Sequence, residues 1–280
     1  MSDFRVSAKI DEKTFRLIED VAAERKVSRA EALRTILTRY GYTLQIQDLK
    51  LQPTRKHYSI LGATESGKTF LTRNYLIPRL EQGRKVVVVD PHGEYDDGYE
   101  TIPFTYKGTI AHTTNQLVQA IQIQAMCDKI TDLIDDLIEQ IELSKRKRIS
   151  IRVNIANAKA DGIIISQFLE QLTQREGKWN PPLLVVVEEA AAYDCLPLVR
   201  RGRHYGIQAI LVSQDPLSGK TRTNTRTITG ANDPTITEKV DPSIAFATQQ
   251  LHQGEFLWEP VKGQWSRFKY TARKGEKKNF

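Results

Sequence analysis

Residues 61–70, LGATESGKTF, decide the fold. They contain Gly62-Ala63-Thr64-Glu65-Ser66-Gly67-Lys68-Thr69, a full G-x-x-x-x-G-K-[ST] match. In such a loop the glycines let backbone N–H groups wrap a phosphate. Lys68 can reach the β and γ oxygens, and the Thr69 hydroxyl can ligate magnesium. The pattern gains its specificity from context, a strand before it and a helix after it. Tyr58 to Leu61 reads as a short buried strand, and an apolar-rich helix is expected from Thr69 to Gln82. Phe70, directly after the motif, is counted with the nucleotide-binding residues.

Two further strands share the design of the first. KVVVVD (85–90) is β-branched and bounded by charge and proline, as a central parallel strand should be. It runs into DPHGEY. PPLLVVVEEAAAY (181–193) places five apolar residues before Glu188 and Glu189. A carboxylate at the tip of a buried strand beside a phosphate loop is placed for the metal shell, and a second can polarise a water. Glu188 is assigned to magnesium through water and Glu189 to the base, with the reverse assignment left open. RRGRHYGIQAILVSQDP (200–216) then gives a helix end, the strand IQAILVS and Gln214 at its tip, where a side-chain amide can sense a γ-phosphate. Arg203 is too far along the chain to be a simple cap and suits an arginine finger given to a neighbouring subunit.

Together these pieces resemble the FtsK–HerA superfamily of P-loop motors over residues 55–260, with DPHGEY especially close to the HerA branch. The resemblance implies a RecA-like α/β core that binds ATP and Mg2+. It also implies a ring, usually a hexamer, around DNA, with hydrolysis at subunit boundaries driving the DNA through the pore. Lys68, Thr69, Glu188, Glu189, Arg203 and Gln214 match the working positions of the family. Asp90, His92 and Glu94 match its second-strand motif, to which the sequence assigns no role. A glutamate stands where aspartate is commoner at the second carboxylate motif.

The first forty residues are of another kind. In DFRVSAKI, Phe4, Val6, Ala8 and Ile10 alternate with Arg5, Ser7 and Lys9, which predicts a strand. Asp11 can cap a helix carrying Phe15, Ile18 and Ala22, and Ser28 with Glu31 forms a capping box for a second helix. One strand and two helices are too small a core to stand alone, and pairing with a second copy satisfies the strand. The segment resembles the ribbon-helix-helix family of MetJ, Arc and CopG type. That resemblance implies that Arg5, Ser7 and Lys9 read base edges from a ribbon in the major groove, while the amides at the start of the second helix, near Ser28 and Arg29, clamp a phosphate. A plain helical hairpin used for oligomerisation is the alternative. The expected organisation is residues 1–44 as this domain, 45–54 as a linker, and 55–280 as the ATPase domain with a basic tail.

Between and after these motifs, residues 113–148 read as helical, closed by KRKR (145–148). IRVNIANA (151–158) reads as a strand, and 163–172 as a crossover helix. SGKTRTNTRTITGANDPT (218–235) has no core pattern and reads as a loop, either a connector or a pore loop gripping DNA phosphates with Lys220, Arg222 and Arg226. GEFLWEPVKGQWSRFKY reads as a closing hairpin. The last twenty residues carry seven Lys or Arg against one Glu, with Trp265, Phe268 and Tyr270 interleaved, so that a solvated tail and a nucleic-acid-facing strand compete.

The bulk numbers agree with a globular protein: 280 residues, 40% hydrophobic, 27% charged, net charge +7. The longest apolar stretches are too short for a membrane span. Two cysteines far apart suit a reduced, cytosolic protein. The expected function is an ATP-driven ring motor on double-stranded DNA, serving a mobile element through transfer, maintenance or genome packaging. A nuclease, relaxase or capsid protein is its expected partner. An ATP-switched DNA-binding regulator and a protein-remodelling ATPase are the other classes that the motifs permit.

Overall fold

Aliphatic and β-branched runs that are apolar on both faces must be covered on both faces, and this requirement sets the architecture. In the computed structural model, residues 19, 23, 28, 29, 56–106, 116–155, 158–261 and 264–269 are described. The chain divides into two units, Met1–Gln47 and Asp48–Phe280. In the first unit Glu19, Ala23 and Arg29 are helical and Ser28 is not. The Arg29 guanidinium pairs with Glu19 at 2.5 Å. The ribbon strand, with Arg5, Ser7 and Lys9, lies outside the described residues.

The second unit is built on one nine-stranded sheet. Its strands are β1 (His57–Leu61), β2 (Lys85–Asp90), β3 (Glu100–Tyr106), β4 (Arg148–Ile155), β5 (Leu183–Val187), β6 (Ile207–Ser213), β7 (Thr225–Thr229), β8 (Glu255–Val261) and β9 (Gln264–Lys269). The order is β3-β4-β2-β5-β6-β1-β7-β8-β9. Strands β3 to β7 are parallel, and the β8–β9 hairpin closes the edge antiparallel. Parallel pairing brings the ends of β1, β2, β5 and β6 to one edge, which is where the motifs of the sequence fall.

Alternation along each strand builds two cores. Val87 and Val89 of β2 and Val185 and Val187 of β5 face α2 (Gln116–Leu143) and α3 (Ala158–Gln171), whose Ile134, Leu137, Ile141, Phe168 and Leu169 are buried. Val86, Val88, Leu184 and Val186 face the other side. There they meet α1, which begins as Lys68–Leu71, passes through a π turn at Thr72–Leu76 and ends as Ile77–Leu80. The π turn lies just before Pro78, which has no N–H to continue an ordinary i→i−4 ladder. The hairpin completes this second core, with Phe256 and Phe268 stacked at 5.5 Å.

Three sequence expectations are corrected. Residues 218–235 are not a loop: they form α5 (Gly219–Thr223), β7 and the start of α6 (Pro234–Glu238); α4 (Leu196–Arg201) precedes them. The TRTIT stretch holds because Thr is β-branched and its hydroxyls find partners. Thr225 Oγ1 donates to Ser59 Oγ at 3.0 Å, and Ser59 Oγ donates to Thr227 Oγ1 at 3.2 Å. The KRKR tract does not end α2, because Arg148 opens β4 and pairs with Glu81 at 2.8 Å. The end of α2 is instead capped from outside by Lys85, whose Nζ donates to the carbonyls of Ile141 (2.7 Å), Ser144 (2.8 Å) and Glu142 (3.3 Å). In the hairpin, Phe268 belongs to the core and is no free stacking surface, while the half-buried Trp265 donates its indole N–H to Asp241 at 2.9 Å. Among the described residues no helix is long and apolar enough to cross a membrane.

Candidate nucleotide site

The loop after β1 is held by its neighbours in the sheet. Gly62 N–H donates to Ser213 O of β6 (3.3 Å), and Ala63 N–H donates to Ala231 O beyond β7 (2.8 Å). Gly67 has φ +91°, the left-handed region that a Cβ disfavours, and α1 starts from it. Lys68 Nζ donates to Ala63 O at 2.7 Å across the loop. Burial lowers the Lys68 ammonium below its ordinary value, with Glu188, Glu189 and Glu94 pulling it back. Thr64, Glu65, Gly67, Lys68, Thr69 and Phe70 line a cleft of about 880 Å³. Gly62, Ala63 and Ser66 are not among its lining residues. The Ser66 hydroxyl is buried and, among the described residues, has no partner.

The opposite wall comes from β5, two strands away. At a strand spacing of about 4.8 Å, its tip lies roughly 10 Å from the end of β1, the width of a phosphate group and its surroundings. Glu188 and Glu189 both line the cleft. Glu188 is buried, and burial pushes its carboxyl up to about 8, opposed by the Tyr95 hydrogen bond and by Lys68. Its Oε1 accepts from the Tyr95 hydroxyl at 2.5 Å. Glu189 is half-exposed and holds φ +52°, a strained conformation for a side chain of its size. That turn aims it across β6. Gln214 Nε2 donates to Glu189 Oε1 at 3.3 Å, and Thr64 Oγ1 donates to Gln214 Oε1 at 2.9 Å. His92 Nε2 lies 3.6 Å from the same Glu189 oxygen. The chain Thr64–Gln214–Glu189 therefore links the phosphate loop to the carboxylate through the tip of the intervening strand.

DPHGEY acquires a structural role. Asp90 is buried at the end of β2, where its carboxylate accepts from the backbone N–H of Glu94 and of Tyr95, both at 3.0 Å, and from Ser150 Oγ at 3.2 Å. Gly93, at φ +73°, turns the chain over Arg152: a Cβ there would meet the guanidinium at 2.8 Å. The turn sends Tyr95 inward to Glu188 and leaves His92 beside Glu189. Arg73 and Asn74 of α1, with Asp97 and Gln253, complete the cleft lining. The sequence carries no motif for these four.

Arg203 is not part of this cleft. It is exposed on a turn, Gly202–Tyr205, that precedes β6. Gln214 follows the other end of that strand, about 20 Å away along an extended chain. Lys220 is exposed on α5. Arg222, half-buried, donates to Lys239 O at 2.6 Å, and Arg226 is half-buried in β7, whose Thr225 pairs with His57 at the start of β1. None of the three is among the residues that line the cleft.

A parallel sheet with a phosphate loop after one strand, paired carboxylates after another and a glutamine on the strand between them defines a P-loop nucleoside triphosphatase. Residues 44–185 match the family model described as "Helicase HerA, central domain", and the chain belongs to that family. It is an ATPase. No curated protein matches the chain. Among solved structures, it is similar to the genome packaging NTPase B204 of Sulfolobus turreted icosahedral virus 2 in complex with AMPPCP, at 14% identity. That match covers 79% of this chain and 100% of the other, with a TM-score of 0.52. The bacterial conjugative coupling protein TrwBdeltaN70 is 11% identical over 85% of this chain and 91% of its own, with a TM-score of 0.52. VirB4 of Thermoanaerobacter pseudethanolicus is 15% identical over 82% and 93%, with a TM-score of 0.50. At these identities the likeness is one of fold.

Proposed function

We propose that the protein hydrolyses ATP to move double-stranded DNA, as a ring of subunits in which Arg203 of one completes the cleft of the next. The observation that carries this reading is a separation. Lys68, Thr69, Glu188, Glu189 and Gln214 converge on one cleft, and Arg203 stands at the far end of the strand that carries Gln214. An arginine that is to reach a γ-phosphate from there has to reach a neighbour's.

In this reading the loop amides and Lys68 hold the β and γ phosphates. Glu189 orients the attacking water and takes its proton. Gln214, hydrogen-bonded to both Thr64 and Glu189, registers the γ-phosphate. Thr69 and Glu188 fit magnesium in chemistry, both being oxygen donors, and a buried carboxylate held up to about 8 by burial is a group that a cation relieves. No cluster of three or more His, Cys, Asp or Glu among the described residues could hold a metal alone, so the ion would come with the nucleotide. When bound, it neutralises charge on the phosphate oxygens.

The first unit is assigned to DNA recruitment: Arg5, Ser7 and Lys9 on a paired ribbon, with Ser28 and Arg29 at a phosphate. Paired ribbons in a hexamer would make three dimers. Fold relatives described as a genome packaging NTPase and a conjugative coupling protein favour a mobile element as the setting. The test is the steady-state ATPase rate with and without duplex DNA, beside Lys68→Ala and Arg203→Ala. Strong stimulation by DNA, lost in both variants, supports the motor. A rate indifferent to DNA, or a chain that stays monomeric with ATP analogue and duplex DNA both present, removes it.

A further inference from the structure

Tyr95 lies outside the phosphate loop and outside the carboxylate pair, yet its hydroxyl ends on Glu188. The ring is wholly buried, and the O–H donates to Glu188 Oε1 at 2.5 Å. Three contacts keep that hydroxyl where it is. The Tyr95 backbone N–H is held by Asp90 Oδ2 at 3.0 Å. Asp90 is itself held by Ser150 from the adjoining strand. The ring of Tyr99 meets the Tyr95 ring edge-on, with centroids 5.5 Å apart at 80°.

The consequence falls on the carboxylate. A carboxylate can serve a cation, directly or through a bound water, with one oxygen or with both. The phenol, fixed in place, occupies one lone pair of Oε1 and leaves Oε2 as the less engaged oxygen of Glu188. Magnesium keeps several waters and near-octahedral geometry, which suits one-oxygen presentation. Calcium takes more ligands and commonly engages both oxygens of a carboxylate. We propose that Tyr95 is a positioning residue that holds Glu188 in one-oxygen presentation and thereby favours magnesium over calcium as the cation of the bound nucleotide. This rests on the assignment of Glu188 to the metal shell.

The experiment measures binding of a non-hydrolysable fluorescent ATP analogue to the full chain, titrated with Mg2+ and separately with Ca2+, with a metal-free baseline in EDTA. Thermal melting is recorded for each variant. In Tyr95→Phe the Mg2+ needed for half-maximal metal-dependent binding is expected to rise about five-fold, the size set by one net hydrogen bond. The Ca2+ requirement is expected not to rise, and metal-free affinity stays within about two-fold. Tyr99→Phe, which keeps its ring, leaves both requirements unchanged. If both ions move together in Tyr95→Phe, or neither moves, the proposal is overturned. Glu188→Gln separates the two levels of the argument. If it leaves the Mg2+ requirement unchanged, the metal-shell assignment fails and the proposal with it; if it raises that requirement while Tyr95→Phe does not, the proposal alone fails. Should Tyr95→Phe not fold, Asp90→Asn, which removes one of the two backbone anchors, must lower the preference for Mg2+ over Ca2+; an unchanged preference overturns the proposal.

Discussion

His57 opens β1, and its imidazole is wholly buried. Its Nδ1 accepts the Ala209 backbone N–H at 3.0 Å, so the ring takes part in holding β1 to β6. Burial, with the Arg203 guanidinium adding to it, lowers the imidazole from 6.5 to about 4. Between these values the unfolded chain binds a proton that the folded protein refuses. The stability His57 contributes is therefore fully present above about pH 6.5 and is lost as the pH falls through about 4. Over that window the loss is about 3 kcal/mol. His57→Asn retains an acceptor for Ala209 without the titration, and its urea-unfolding free energy should fall less steeply from pH 6.5 to 4 than that of the wild type. At the cleft, Glu189 holds a left-handed backbone and accepts from Gln214, a placement that costs strain and is not needed for packing. Glu189→Gln keeps the shape and removes the base. Its ATPase rate should drop by about 10²- to 10⁴-fold with ATP-analogue affinity little changed; an equal loss in both would mean that Glu189 binds and does not catalyse.

At the scale of elements, the ends of α2 and of β2 depend on each other. The last turn of α2 contains no basic residue, so its orphan carbonyls are met by Lys85 from the start of β2. A lysine whose ammonium is lowered by burial stays there because three carbonyls surround it. Lys85→Met keeps the apolar stem and removes the donors. It should cost about 1–3 kcal/mol, and amide exchange in the last turn of α2 should quicken more than exchange in β5. Unchanged exchange there would show that water substitutes for the cap. The same logic explains β7, which lies between β1 and β8 and survives with three buried threonines because Ser59 and nearby carbonyls meet their hydroxyls.

For the whole molecule the decisive distance is along β6, which separates Arg203 from Gln214. If each cleft needs Lys68 from its own subunit and Arg203 from the neighbour, two dead proteins can rescue each other. Mixing Lys68→Ala with Arg203→Ala in equal amounts, with subunit exchange, leaves a complete cleft at about one interface in four. DNA-stimulated ATPase should return to roughly a quarter of wild type if the interfaces act independently. No recovery after verified exchange would place Arg203 outside the reaction or make the ring all-or-none.

The sequence by itself determined the phosphate loop, the strands at 58–61, 85–90, 183–187 and 207–213, and the carboxylate pair at the tip of one of them. These are local matters: apolar runs of strand length and glycines at fixed offsets are written in contiguous residues. The placement of Arg203 away from its own loop also follows once the strand that comes after it is recognised. Tertiary structure alone decided that TRTIT is a strand, since threonine hydroxyls read as loop chemistry until Ser59 is beside them. It decided that Lys85 and not KRKR caps α2. It decided what DPHGEY does, because Tyr95 and Glu188 lie 93 residues apart and Thr64 and Gln214 lie 150 apart. Strand order, which no short stretch records, brings those pairs to one edge of the sheet.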